Sequence, residues 1–455
     1  MAIDEINNST DILPNHHLVG RSQDTGCSGS GAIKAIIAHQ LELNGGEPDV
    51  IIGGGCSGGC QTSALVAEAW QTPEIGWACT NIALSDKVAF PYFLRTTAPE
   101  SAVAKVFSAV CDEHNWKKIS FVTENQDLFR LSAEAFMDQQ LSRDEADRIE
   151  VVDNEIFESN GNEDLLDAQL QRIKDSGVRI WGVWAYVAKL RVILKKAQKL
   201  GLTGEGYQVM VGGGIGNSLL VNEQSPGPDN EVRDDDIELI KASQGIMITV
   251  PTQPSGDAYD GYTEKISKRM GIAVESIHGR AVYAYDAVYA YAHALDNWVT
   301  ENPGEDHRHP DNKERFKDDY MFPVTFDSVQ GSFAFDEKGD RDASLTVGTF
   351  NYQLTGTDGY SDGLPWEFMA TYSGGAGYEK LTPSRGIMYS GGANVPPVDW
   401  VAPVVEEVIT YETEIGIVAG IFALLGLLAF LRTRKQDSKI NFLVKTVKMQ
   451  NQIPR

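Results

Sequence analysis

The sequence predicts an α/β protein, with parallel sheets flanked by helices, that passes into a β-rich end and then one C-terminal transmembrane helix. Three observations carry this. Strand-like and helix-like patterns alternate through the middle of the 455 residues, the pattern changes to short strands after residue 330, and residues 415–431 lack any charge or side-chain hydrogen-bonding group. Alternation of this kind is what βαβ units produce, since each parallel strand needs a covering helix to return the chain.

In order, Asp49-Val50-Ile51-Ile52 reads as a strand, followed by a glycine run and a helical stretch from Ser63 to Trp70. Lys118 to Val122 precedes a helix over Ala133 to Leu141, and Arg179 to Trp184 precedes one over Val187 to Leu200. In the last of these Leu190, Ile193, Leu194, Ala197 and Leu200 share one helical face. Ala281 to Trp298 is apolar nearly all round and must be deeply covered. The β-rich end comprises Phe333-Ala334-Phe335, a turn at Asp336 to Asp340, Ser344 to Leu354 and Trp366 to Tyr372. Residues 223–236 and 300–319 are polar and read as solvated loops, while Pro383 to Pro403, rich in Pro and Gly, reads as a stalk.

Charge is distributed unevenly. The net charge is −25, but residues 432–455 carry +6, which leaves −31 on residues 1–431. So acidic a chain repels a phosphate backbone, and no nucleic-acid partner is expected. Ile415 to Leu431, at 1.5 Å per residue, spans about 25 Å, enough to cross a thin hydrocarbon core. Its eleven Leu, Ile, Val and Phe residues together favour insertion by about 5 kcal/mol. The basic cluster after Leu431 predicts a cytoplasmic tail and an acidic bulk outside, hence a single-pass anchor in contact with membrane lipid. An exterior bulk calls for a signal peptide, yet Met1 to Asn15 has no positive start and no apolar stretch. Either the chain is cytosolic or its N-terminus is incomplete; Ala2 to Ile6 looks like helix interior without a cap, which favours the second.

Two glycine clusters raise a nucleotide-binding reading. Gly53 to Gly58 satisfies G-x-G-x-x-G between strand and helix. The unit lacks the acid that should hold a ribose, because Gly76-Trp77-Ala78-Cys79-Thr80 ends in small polar residues. Val211 to Gly216 matches less well. The glycines are better explained by a small ligand approaching a strand-end loop closely. No grouping suited to covalent or metal chemistry stands out, so neither a catalytic residue nor a cofactor is implied. His16-His17 and His307-Arg308-His309 read as solvated loop histidines, and Asp234-Asp235-Asp236 as an acidic helix start. Outside the cell, the five cysteines would give two disulfides and one free thiol.

The run Ala2 to Thr10 with Leu13-Pro14-Asn15 resembles the first helix of receptor ligand-binding domains related to type I periplasmic binding proteins. The likeness continues through Gly55-Cys56-Ser57, Leu84 to Lys87 with Phe90 to Thr96, Trp116-Lys117-Lys118, Ala284 to Ala287, and Gly331 to Asp336 with Gly339-Asp340-Arg341. It covers residues 2–372 and is similar above all to the extracellular domains of class C G-protein-coupled receptors, in particular metabotropic GABA type B receptors. Natriuretic-peptide receptor guanylate cyclases share the fold.

The resemblance implies a two-lobed clamp: lobe 1 at 1–98, with its first strand missing, lobe 2 at 99–249, a return to lobe 1 at 250–343, and C-terminal strands at 344–382 that belong mainly to lobe 2. A stalk at 383–412, the transmembrane helix at 413–431 and the basic cytoplasmic tail at 432–455 follow. It implies that Ser57 and Thr80 contact a ligand carboxylate, with Gly58 and Cys79 beside them, that Tyr186 covers the ligand from lobe 2, and that Cys27 and Cys56 form a disulfide. Where the GABA type B branch has a glutamate for the ligand amine this chain has Arg280, the lobe 2 tryptophan position holds Gly214, and an acid used by metabotropic glutamate receptors falls near Ala188 and Lys189. Arg280 is therefore expected to favour an anionic group, unless it forms a surface salt bridge. The function expected is a cell-surface receptor ectodomain in the plasma membrane, binding an amino-acid-like or small acidic ligand and pairing through lobe 1 as a homo- or heterodimer. The alternatives are the ectodomain of a receptor guanylate cyclase and a soluble nucleotide-dependent enzyme.

Overall fold

The computed structural model describes residues 1–401 apart from 162, 213–218, 220–233, 253, 275–276, 342–344, 351–365, 374–375 and 383–386. The membrane helix expected at 413–431, the tail at 432–455, the stalk beyond 401 and Gly214 lie outside the described residues. Among those described, no helix is long and apolar enough to cross a membrane.

The chain begins with α1 (Ala2–Asn7) and α2 (Gly29–Glu42), then alternates β1 (Ile51–Gly53), α3 (Ser57–Trp70), β2 (Glu74–Gly76) and β3 (Phe93–Arg95). The three strands pair in parallel in the order β1-β2-β3. At 96–99 the chain crosses to a second layered body. There it runs through α4 (Glu100–Glu113), β4 (Lys118–Glu124), α5 (Asp127–Leu141), β5 (Glu150–Phe157), α6 (Glu163–Asp175), β6 (Ile180–Trp184), α7 (Val187–Lys199), β7 (Gln208–Val211), α8 (Asp234–Ser243) and β8 (Met247–Pro251). It returns to the first body as α9 (Asp257–Met270), α10 (Ala281–Glu301), α11 (Pro310–Phe316) and a hairpin of β9 (Thr325–Ser328) and β10 (Gly331–Ala334). A third crossing adds β11 (Leu345–Phe350), β12 (Trp366–Ser373) and β13 (Gly377–Lys380) antiparallel to the second sheet, whose order is β13-β12-β11-β8-β7-β6-β4-β5.

Local chemistry explains why these elements form. Strand β6, Ile-Trp-Gly-Val-Trp, is buried along its whole length, as a parallel strand covered on both faces must be. In α7 the stripe Leu190, Ile193, Leu194 and Ala197 is buried; each of the three larger side chains contributes about 1.5–3 kcal/mol by leaving water. Gly201, with φ +77°, then turns the chain away in the left-handed conformation that glycine tolerates.

The two bodies have separate cores. In the second, Trp181, Leu190, Ile193 and Val209 pack on one face of the sheet, and Phe107, Phe121, Phe136 and Trp184 on the other. In the first, Ile75 and Leu94 meet Ala287, Ala290 and Trp298 of α10, so the helix that the sequence marks as deeply covered lies across the first sheet. We call these bodies lobe 1 and lobe 2.

Three local expectations need correction. Helix α3 starts at Ser57 rather than near Ser63, and the small Gly59 in its first turn faces the Ser28 carbonyl at the start of α2. Residues 300–319 are not all solvated loop: α11 lies there, and His307 sits 4.7 Å from the Phe316 ring, with burial pulling its pKa down. The part of the expected stalk at 387–401 is stitched onto lobe 2. The Asp399 carboxylate accepts from the Lys117 and Lys118 amides at 2.6 and 2.9 Å, Trp116 Nε1 donates to Pro397 O at 2.8 Å, and Val401 N donates to Gly177 O at 2.9 Å. Its prolines and glycines serve a docked extended strap.

Candidate functional site

In parallel α/β sheets ligands gather beyond the carboxyl ends of the strands. Ser57 follows β1, Thr80 follows β2, and Tyr186 follows β6 in lobe 2. Ser57 opens α3, where its Oγ accepts from the Asn81 amide at 3.1 Å and keeps its own proton available. Gly58 beside it is exposed, and nothing lies within 4 Å of where a Cβ would stand.

The glycines before it have a different task from the one expected. A Cβ on Gly53 would collide with the Glu74 carboxyl, and one on Gly55 would come within 3.0 Å of the Trp77 ring. They make room for β2 and its loop. Cys79 is a second correction: its side chain is fully buried in a disulfide with Cys60, so it offers none to the cleft, and its carbonyl accepts from Arg95 Nη1 at 2.9 Å. Cys27 and Cys56 form the other disulfide, with Cα atoms 5.3 Å apart, and Cys111 is a buried free thiol.

Thr80 stands at the first crossing between lobes. Its carbonyl accepts from the Glu100 amide at 2.9 Å, and its hydroxyl donates to Glu100 Oε1 at 3.0 Å. Glu100 is the first residue of α4, so one threonine of lobe 1 is bonded twice to the first helix of lobe 2. Burial raises the Glu100 pKa, while Thr80 and the fields of Arg280 and Arg95 oppose that rise. Replacing Thr80 with valine keeps the shape and strands Glu100 Oε1 without its donor. The expected loss is about 1–3 kcal/mol, read from urea unfolding; an unchanged midpoint would show that this bond does not hold the crossing.

Thr80, Glu100 and Arg280 line a single cavity with Thr97, Tyr283 and, from the other two crossings, Thr249, Pro251 and Leu345. Its volume is about 30 Å³, room for a water molecule. Arg280 caps α10 from the preceding turn, half-buried, and its guanidinium makes no ion pair with any described residue. It lines the cavity beside Glu100, on whose carboxyl its field acts, and among the described residues it makes no surface salt bridge. Tyr186 is half exposed; its amide donates to Glu124 Oε2 at 2.9 Å and its ring meets Phe129 edge-on at 4.8 Å. Burial raises the phenol's pKa, and the carboxylates of Glu124 and Glu100 add to the rise. Tyr186 therefore lies within the electrostatic reach of the residue that Thr80 holds.

The structure thus brings Thr80 and Arg280 into one cavity and places Tyr186 near it, with Ser57 and Gly58 on the neighbouring strand end. Reading the sequence missed Glu100, Thr97, Tyr283 and Glu124. An acid after Pro99 resembles an ordinary first-turn glutamate, and only the crossing turns it inward. Among the described residues no group of His, Cys, Asp and Glu is placed to hold a metal ion.

Comparison with known proteins adds to this geometry. A family model described as "Receptor family ligand binding region" matches residues 1–353. The chain is 24% identical to gamma-aminobutyric acid type B receptor subunit 1 of Mus musculus over 406 residues, an alignment covering 83% of this chain and 40% of the mouse protein. It is 25% identical to subunit 2 of Homo sapiens, over 65% of this chain and 30% of that protein. Against receptor-type guanylate cyclase Gyc76C of Drosophila melanogaster the identity is 24%, over 76% of this chain and 24% of that protein. The chain spans less than half the length of each of these relatives. Two parallel-rich lobes joined by three crossings, and a family match over most of the chain, make one statement: this protein belongs to the receptor family defined by that ligand-binding region.

Proposed function

We propose that the chain is the extracellular sensor of a membrane-anchored cell-surface receptor, clamping a small amino-acid-like or anionic ligand between its lobes. The observation that carries the reading is Arg280, without an ion pair among the described residues, in the same cavity as Thr80 and Glu100, at the junction of all three crossings. A ligand carboxylate there would gain charge-assisted bonds to Arg280, and a cationic nitrogen would find the Glu100 carboxyl. Because the cavity holds no more than water, ligand entry needs the lobes to part at the crossings, and closure around it biases an open–closed equilibrium. The uncharged run Ile415 to Leu431 with its basic flank supports the anchor. Exposed Ile37 and Leu41 on α2, with Leu65 on the adjoining α3, offer lobe 1 an apolar face for a second chain.

A thermal-shift screen of amino acids and small acids on the 455-residue chain tests the ligand class, since a ligand that favours the folded clamp raises its melting temperature. Arg280→Glu should weaken acidic ligands by about 10–100-fold, the size of a lost charge-assisted bond of roughly 1.5–3 kcal/mol. Unchanged preference for acidic over zwitterionic ligands would refute the role of Arg280. Relatives of two effector classes align over much of this chain, so a guanylate-cyclase receptor is the second reading. Transcript sequence past the Arg455 codon separates the two: six further apolar spans indicate G-protein coupling, and a cyclase domain the alternative.

A further inference from the structure

We propose that Asn8 carries an N-linked glycan, an inference that rests on the extracellular reading of residues 1–401. Asn7-Asn8-Ser9 and Asn8-Ser9-Thr10 are overlapping acceptor motifs, and no other asparagine in the chain has Ser or Thr two residues on. The structure separates the two. The Asn7 carboxamide is half-buried and bonded at both ends to one residue: Nδ2 donates to Leu18 O at 2.9 Å, and Leu18 N donates to Oδ1 at 2.8 Å. Ser9, the hydroxyl residue of the Asn7 motif, has its Oγ committed to the amides of Asp11 and Ile12, both at 3.1 Å.

Asn8 is exposed at the C-cap of α1, and Thr10 of its motif is exposed as well. Its Nδ2 donates to Asp4 O at 2.7 Å. Glycosylation replaces one of the two amide hydrogens, so the remaining N–H can keep that bond. In the transfer, the Nδ2–C1 bond forms as the C1–oxygen bond of a lipid-linked pyrophosphoryl oligosaccharide breaks. The lipid pyrophosphate departs, and one amide proton is released to solvent. Leu13, buried and held by its amide to Asp296 Oδ1 at 2.8 Å, pins the chain just beyond the motif, so the acceptor turn projects from a fixed base. A sugar at Asn8 would overhang the adjoining charged groove, where Asp4 pairs with Arg269 and Glu5 with Lys265. That face of lobe 1 would then stay in solvent, away from both a partner chain and the membrane.

The test expresses the full chain behind a cleavable secretory leader in a eukaryotic host. Met1–Arg21 is one tryptic peptide holding both motifs, and enzymatic removal of the glycan converts the acceptor asparagine to aspartate. The expected result is conversion at Asn8, abolished by Asn8→Gln and by Thr10→Ala, although Thr10→Ala leaves the Asn7 motif intact. Conversion at Asn7, or an unmodified peptide from chains in which Cys27–Cys56 and Cys60–Cys79 have formed, overturns the proposal. Chains with reduced cysteines and no sugar would instead defeat the extracellular reading, and the glycan with it.

Discussion

Arg95→Ala is expected to lower stability by about 3–5 kcal/mol, the cost of leaving one member of a buried ion pair alone. Arg95 is fully buried and its Nε lies 2.6 Å from Asp340 Oδ1. The rest of its guanidinium is committed too. Nη1 donates to the carbonyls of Cys79 and Asn81 at 2.9 and 2.8 Å, and Nη2 bonds Ser85 Oγ, which donates to Asp340 Oδ2 at 2.7 Å. Alanine would strand a buried carboxylate and two carbonyls together. Lys87 cannot step in, because its Nζ is taken by the carbonyls of Leu84 and Phe93, and burial has already pulled its pKa down to about 8. The network joins β3 to the segment entering the third crossing, where Arg95 N donates to Gly339 O at 2.9 Å and Arg341 N to Arg95 O at 3.1 Å. Urea unfolding reads the loss. Arg95→Met with Asp340→Leu should recover the part owed to the stranded carboxylate, since both charges leave together, but not the part owed to the Cys79 and Asn81 carbonyls. A single mutant within about 1 kcal/mol of the parent would mean that the pair is solvated and the argument wrong.

How far the sequence foretold this architecture depends on the range of the interactions concerned. Alternating strands and helices were legible because periodicity is local: the stripe from Leu190 to Ala197 is buried as read, and the helix from Ala281 to Trp298 is covered on one side, with Tyr285 and Tyr289 only half-buried. Ser57 and Thr80 were named by the family resemblance, and both stand after strands of the first sheet. The misses are long-range. Five cysteines promise two disulfides without saying which pair, and only the fold brings Cys60 of α3 to Cys79. Gly53 and Gly55 looked like ligand glycines until the β1–β2 register set Glu74 and Trp77 against them. Glu100 and Tyr283 meet only where the crossings converge, and no pattern within either segment encodes that meeting. The strap at 387–401 read as a stalk because its composition is that of extended chain, and the docking comes from lobe 2 amides far away in sequence.

Glu74 yields the second large effect, and its sign follows from burial. It lies fully buried in the middle strand of the first sheet; Ser63 Oγ donates to Oε1 at 2.7 Å, and Oε2 has no partner. Desolvation pushes its pKa up to about 8, against the Ser63 bond that pulls it down. Above about pH 4.5 the unfolded chain releases this proton while the folded chain keeps it, so stability falls with rising pH until the folded group also ionises near pH 8. Over that window the fall is about 5 kcal/mol, at 1.36 kcal/mol per pH unit. Glu74→Gln keeps an acceptor for Ser63, puts its amide nitrogen where Oε2 already lacks a partner, and has no proton to lose. Parent and variant should therefore be nearly equal at pH 5, with the variant ahead by about 5 kcal/mol at pH 9. Glu100 and Asp286, also raised by burial, change stability in the same direction, but they are present in both chains and cancel in the difference. Lys87, lowered by burial, acts with opposite sign above pH 8 and cancels likewise. Urea midpoints across this range decide the matter: parallel curves for the two chains would show that Glu74 reaches water, and that the first sheet holds no neutral carboxyl at its centre.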